Sequence, residues 1–270
     1  MNPPNIGRSN PAVKAASSAL FDKDGNPKPG IYRGIERAID VQRPLVLANL
    51  RRVRRRHPAA TPAELAELLE RDYLMAITAA GAAVGATAAV PAVGTIASLG
   101  LSAAATVGFL EATALYAQSI AELHGIHTDD PERSRTMVMA ILMGEEGMAL
   151  IQSGLGGSSV SSGQQPWGNA VGSAAPASLV RALSASIRRR FIRRMVARQG
   201  GALLGRALPF GVGAAIGGAG NHAMGKAVIN ATRTAFGPPP LVVPGDLANT
   251  LDAAPEKPSS GSGSGSGSGA

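Results

Sequence analysis

The stretch from Tyr73 to Leu110 contains no charged residue, which limits the folds open to this chain. Pro91 and Gly94 lie near its middle, and both residue types interrupt helices. The stretch is rich in Ala and Gly, whose small side chains let helix backbones approach closely. We therefore predict two antiparallel helices joined by a turn at residues 90–94.

A second stretch of similar composition, residues 202–223, predicts a second helical hairpin that turns at residues 209–213. Glycines four residues apart recur in both stretches, a spacing that places small residues on one face of a helix. These glycines are Gly81 and Gly85 in the first hairpin and Gly213 and Gly217 in the second. We expect them to mark close helix packing.

Residues 211–217, GVGAAIG, also resemble a dinucleotide-binding fingerprint. The third glycine comes one place late, and no strand pattern precedes the segment, although a nucleotide site needs a strand to aim the helix N-terminus at phosphate. Helix packing is therefore the favoured interpretation of these glycines.

Proline-led start signals locate several helices. Thr61-Pro62-Ala63-Glu64 combines a capping hydroxyl, a proline at the first helical position and a reciprocal glutamate. Asp130-Pro131 repeats the cap and proline, Pro176 opens a further helix, and Pro44 separates two earlier ones. The predicted fold class is all-α, a helical bundle with two Gly/Ala-rich antiparallel hairpins.

Three segments lack helical periodicity. Residues 1–30 predict a flexible N-terminal arm, and residues 153–175, rich in Gly, Ser and Gln around a lone Trp167, predict a flexible connection. Residues 241–270 predict a disordered tail that ends in a Gly/Ser repeat typical of linkers. A single helical domain, residues 31–240, remains.

Two arginine clusters dominate the formal net charge of +8. The first comprises Arg51, Arg52, Arg54, Arg55 and Arg56, and the second includes Arg188, Arg189, Arg190, Arg193, Arg194 and Arg198. Each precedes one apolar hairpin, the order expected of a basic flank beside a membrane. The clusters therefore predict binding to an anionic membrane or a membrane protein, with a solvated helix face as the alternative. Nucleic acid is disfavoured because aromatic residues for base stacking amount to only 3%.

No apolar signal segment begins the chain, so we expect the protein on the cytoplasmic side of the membrane, peripheral or hairpin-inserted. The absence of cysteine excludes disulfides and thiolate metal sites.

Candidate chemical sites are few. His124, His127, Asp129 and Asp130 offer metal-ligand atoms, but helix capping and solvation explain them without a metal. No nucleophile triad, phosphate-binding loop or zinc-protease motif is present, so we predict no catalytic residues, no metal and no cofactor.

Glu111 and Arg206 lie beside the apolar hairpins and could form an ion pair there. The alternative is that both side chains are exposed at the boundary of a hairpin.

Short motifs of the chain resemble the EcsC family of bacterial proteins. They are AQSIAELHGI at residues 117–126, DPER at 130–133, and LPFGVGAAIG at 208–217 followed by Asn221. The resemblance covers residues 31–237, leaves the segment around Trp167 unmatched, and supplies no catalytic residues. It implies a helical protein found near membranes and ABC-transporter systems.

These observations favour a non-enzymatic, membrane-associated protein that binds anionic lipid surfaces or membrane proteins through its arginine-rich helices and hairpins. The alternative is a soluble helical protein that binds a lipid or other apolar ligand between its hairpins; an enzyme with an unrecognised site is a weaker third class. Hairpins packed against each other favour ligand binding, whereas outward apolar faces favour the membrane. Oligomeric state, including a homo-oligomer, is left open.

Overall fold

The computed structural model describes residues 28–87, 95–155, 166–202 and 212–252, and the side chains of most of these. The described residues form helices and no strand, which confirms the predicted all-α class. The helices are α1 Pro29–Ile39, α2 Arg43–Arg56, α3 Pro62–Thr87, α4 Thr95–Leu123, α5 Pro131–Met143, α6 Glu145–Gly154, α7 Trp167–Asn169, α8 Ala177–Ala202, α9 Val212–Phe236 and α10 Gly245–Asp252.

The predicted capping box at the start of α3 is confirmed. The backbone N–H of Thr61 donates to Oε2 of Glu64 at 2.7 Å, and the N–H of Glu64 donates to Oγ1 of Thr61 at 3.3 Å. These bonds satisfy backbone donors that the first helical turn leaves without partners. The bond from the Thr61 backbone also lowers the pKa of the Glu64 carboxyl.

The starts of α5 and α8 follow the predicted signals as well. The Asp130 side chain accepts bonds from the N–H groups of the next helical turn, and α5 begins at Pro131. Helix α8 begins one residue after Pro176. Gly125 ends α4 with φ of 75°, a left-handed conformation that glycine adopts without a steric penalty.

Helices α3 and α4 pack against each other as the arms of the first predicted hairpin. The hydroxyls of Tyr73 and Thr113 lie 2.8 Å apart, and the rings of Tyr73 and Tyr116 stack with centroids 4.8 Å apart. The predicted turn at residues 90–94 lies outside the described residues.

Helix α9 packs along α3 through the glycines that the sequence singled out. A Cβ placed on Gly217 would lie 2.5 Å from the carbonyl oxygen of Gly81 and 3.6 Å from Cα of Gly85. The two backbones therefore touch where only glycine fits, and the packing prediction is confirmed for these three residues. Residues 203–211, which include the first three residues of the second predicted turn, lie outside the described residues.

Helix α4 lies at the centre of the bundle and packs against α1, α2, α3, α5 and α9. Its buried residues include Leu110, Ala114, Ala121 and Leu123. Helix α8 covers α5 and α6, and α10 packs on α2. The basic helix α8 is thus an outer layer of the bundle.

Two predicted boundaries were wrong. Residues 166–175, expected within a flexible connection, form the short helix α7 and a π-helical turn, Ala170–Ala174, with Trp167 only 3% exposed. Part of the expected disordered tail forms α10, which buries Leu247 and Leu251. In both cases scattered apolar side chains reach the core although the segment carries no long amphipathic pattern. Residues 1–27 of the predicted arm and 253–270 of the predicted tail lie outside the described residues.

Candidate functional site

The first arginine cluster lies on the last turns of α2 and is largely engaged by the protein itself. Three of its members hold neighbouring segments: Arg51 donates to the carbonyl of Thr250 at 2.9 Å, Arg52 to the carboxylate of Asp72 at 3.1 Å, and Arg54 to the carbonyl of Ala60 at 2.7 Å. Arg55 and Arg56 are exposed and have no ion pair with any described residue. Two arginines of this cluster therefore remain available to a partner.

The second cluster lies on α8 and is more available. Arg188 pairs with Glu36 at 3.1 Å and Arg194 pairs with Glu146, so these two arginines hold α8 to α1 and α6. Arg189 and Arg193 are exposed, and neither forms an ion pair within the described part of the chain. Arg181 and Arg190 are also exposed and, nine residues apart, lie at the two edges of this exposed side of the helix.

Helix α8 has two chemically distinct sides. Its inner side buries apolar residues in the core, among them Val180, Leu183, Ile187, Phe191 and Ile192. Its sequence from Ala177 to Ala202 contains no acidic residue. The outward side is therefore a cationic face with no internal counter-charge; we call Arg181, Arg189, Arg190 and Arg193 the α8 arginine face.

The predicted pair of Glu111 and Arg206 stays a prediction. Glu111 is exposed on α4, as the alternative interpretation expects of a residue at a hairpin boundary. Arg206 lies outside the described residues, so the pairing is not tested.

A buried ion pair between α2 and the end of α4 escaped the sequence reasoning. The guanidinium of Arg43 donates from Nε and Nη2 to the two carboxylate oxygens of Glu122 at 2.7 and 3.1 Å. Glu122 is 1% exposed and also accepts the N–H and hydroxyl of Thr128, each at 2.9 Å. The hydrogen bond to Glu122 raises the pKa of Arg43. In the sequence, this ion pair could have been suspected from a glutamate that stands between two apolar residues, Ala121 and Leu123, both of which the structure buries.

The residues weighed as metal ligands extend this ion pair or pack beside it. Asp129 accepts from Arg43 at 3.2 Å, and Nδ1 of His127 lies 3.0 Å from the same guanidinium. Nδ1 of His124 bonds the carbonyl of Ile120 at 2.8 Å. Asp130 caps α5. In the described ranges, no three His, Cys, Asp or Glu side chains form a group that could hold a metal ion.

No helix in the described part of the chain combines the length and apolar character needed to cross a membrane. Comparison with known proteins found no matching family model, no matching curated protein and no matching solved structure. The resemblance to the EcsC family therefore stays a prediction.

Proposed function

We propose that the protein is a non-enzymatic, peripheral binder of anionic membrane surfaces, acting through the α8 arginine face at the cytoplasmic side of a bacterial membrane. The observation that supports this most directly is the set of exposed arginines on a helix without acidic residues. This setting agrees with what the resemblance to EcsC proteins implies.

The mode of contact in this proposal is electrostatic. An interfacial amphipathic helix inserts its apolar side into lipid, but the apolar side of α8 faces the core. The glycine faces of α3 and α9 are likewise occupied by each other, the arrangement expected of the ligand-binding alternative rather than of hairpins inserted in a membrane. Arginine at an anionic leaflet gains about 1 kcal/mol each, so several exposed arginines can recruit the protein without insertion.

The arrangement of the charges suits an extended surface. Arg181 and Arg193 are twelve residues apart, which corresponds to about 18 Å along the helix. This span exceeds the screening length of about 8 Å at physiological ionic strength. The arginines at each end of the face therefore interact with different lipid head groups, and a flat anionic surface can bind both ends at the same time.

Nucleic acid would meet the same charge, but the described residues of the α8 arginine face include no aromatic stacking platform. Trp167, Tyr73, Tyr116, Phe191 and Phe236 are all buried. Base stacking on aromatic side chains supplies much of the affinity for single strands. A lipid surface, which needs no aromatic contact, fits the described face better.

The test compares two variants of equal charge. One replaces Arg181, Arg189 and Arg193 with Gln; the other replaces Arg37, Arg71 and Lys226, exposed cations on three other helices. At about 1 kcal/mol per arginine, the first variant should lose up to about 100-fold in binding to phosphatidylglycerol–phosphatidylcholine vesicles. Its affinity should also depend less steeply on salt.

The scattered-charge variant should lose much less, and pure phosphatidylcholine vesicles should bind neither variant nor the parent protein. Circular dichroism checks that both variants keep their helical content. Equal losses in the two variants would mean that net charge alone drives binding. Tighter binding to nucleic acid than to the anionic vesicles would replace the proposal.

A further inference from the structure

A groove bounded by helices of both hairpins lies beside the α8 arginine face. It has a volume of about 620 Å³ and lies between α4, α5, α8 and α9. Its walls include Phe109, Leu142, Phe191, Met195 and Met224. Ligand sites in proteins occupy about 300–1,000 Å³ and are lined mostly by apolar side chains, which matches this groove in both respects.

The groove is open at its rim. Phe191 is buried, whereas Met224 leaves 49% of its surface exposed. Methionine side chains are flexible and polarizable, so they adapt to chains of varying shape. A larger depression of about 700 Å³ lies at the turn between α2 and α3, but Glu64, Glu67 and Arg71 line it, and such walls do not suit an apolar ligand.

Arg194 is the one charged residue among those that line the groove in the described chain. It pairs with Glu146 through Nη1 alone, and its side chain is 39% exposed. A guanidinium carries five N–H donors, so Arg194 can bind a second carboxylate while it holds Glu146. The groove therefore carries one cationic side chain on its wall.

We infer that the groove binds one long-chain fatty acid, with the acyl chain along the methionine-rich walls and the carboxylate at Arg194. At about 30 Å³ for each water-sized group, a sixteen-carbon chain needs about 480 Å³, which a groove of about 620 Å³ can hold. Binding to this groove does not depend on the α8 arginine face, so either proposal can fail alone.

The chain half of the inference is tested on delipidated full-length protein with palmitate as the probe, by isothermal titration calorimetry below the micellar concentration. Met224→Glu places a charge on the groove wall at a position exposed enough to tolerate it. Met75→Glu is the matched control, since Met75 is 65% exposed on α3 and does not line the groove. Met224→Glu should weaken palmitate about tenfold, and Met75→Glu by less than about twofold.

The head-group half is tested by comparing palmitate with hexadecanol and hexadecyltrimethylammonium, which share its chain. Arg194→Gln should weaken palmitate about tenfold and leave hexadecanol unchanged. Arg188→Gln, which breaks the ion pair with Glu36 but lies outside this groove, should change neither. Glu146→Gln should tighten palmitate because it removes a negative charge beside the bound carboxylate, a gain that misfolding cannot mimic.

Several results would overturn the inference. They are the absence of saturable palmitate binding, equal losses in Met224→Glu and Met75→Glu, or a cationic head group bound as tightly as the carboxylate. A dimer that Met224→Glu dissociates, without palmitate binding by the parent protein, would assign the groove to a second copy of the chain. Loss of vesicle binding in the Arg181, Arg189 and Arg193 variant with palmitate binding intact would leave the inference standing.

Discussion

The contact between α3 and α9 makes a quantitative prediction for one added methyl group. In Gly217→Ala the new Cβ would lie 2.5 Å from the carbonyl oxygen of Gly81. The obstacle is backbone, so no side-chain rotation relieves it, and the two helices must separate. Gly220→Ala, three residues further along α9, is the matched control because nothing lies within 4 Å of its Cβ position.

Both variants gain the higher helix propensity of alanine, but only Gly217→Ala also introduces a steric clash. Alanine is better than glycine in a helix interior by about 1 kcal/mol, which should stabilise Gly220→Ala by up to that amount. Overpacking costs about 1–3 kcal/mol, and a backbone clash belongs at the upper end of that range. Gly217→Ala should therefore lower the free energy of unfolding by about 2 kcal/mol, the overpacking cost less the helix gain.

Urea unfolding followed by circular dichroism measures this difference. With a slope of about 2 kcal/mol per molar urea, the midpoint of Gly217→Ala should fall by about 1 M while that of Gly220→Ala rises. Gly81→Ala combined with Gly217→Ala should cost less than the sum of the single changes, because either one already separates the helices. If Gly217→Ala proved as stable as Gly220→Ala, close backbone contact between α3 and α9 would be refuted.

Two further predictions concern buried polar groups. Arg43→Met should lower the free energy of unfolding by about 3 kcal/mol in the same urea assay, because it leaves the buried Glu122 carboxylate without its cation. Adding Glu122→Gln should restore part of this loss. A larger loss in the double variant would contradict the reasoning. Burial raises the pKa of Tyr73 to about 12 and also raises the pKa of Tyr116. Both hydroxyls should titrate near 10 in the unfolded chain, so the folded state holds these protons more tightly. The free energy of unfolding should therefore fall as pH rises above about 10. Phenolate absorbance in Tyr32→Phe, which keeps only these two tyrosines, should show no titration near pH 10 while the chain stays folded, and ionisation there would contradict it.

Helix starts could be predicted because their causes are local. The capping bonds of Thr61 and Asp130 join residues two or three positions apart, so the residue types in one turn determine them. Proline acts at the same range through its fixed φ and missing N–H. The segment around Trp167 and helix α10 escaped prediction because their order comes from contacts with distant helices rather than from their own pattern.

The same distinction between local causes and contacts with distant helices applies to the candidate site. Sequence alone located every arginine of the two clusters. It could not separate Arg188 and Arg194 from Arg189 and Arg193, because the glutamates that bind the first pair lie on α1 and α6. Availability to a partner is thus a property of the assembled bundle.

The helical class, the starts of several helices and the glycines that share a helix face follow from the sequence, since these depend on hydrogen bonds and side-chain spacing within a few residues. The packing of the helices then decided that Gly81 and Gly85 meet Gly217 of the other hairpin, and that Arg43 pairs with Glu122. It also decided that a groove remains between four helices. Helix periodicity specifies which residues share one face of a helix. Which helix packs against that face depends on how all the helices bury their apolar faces together.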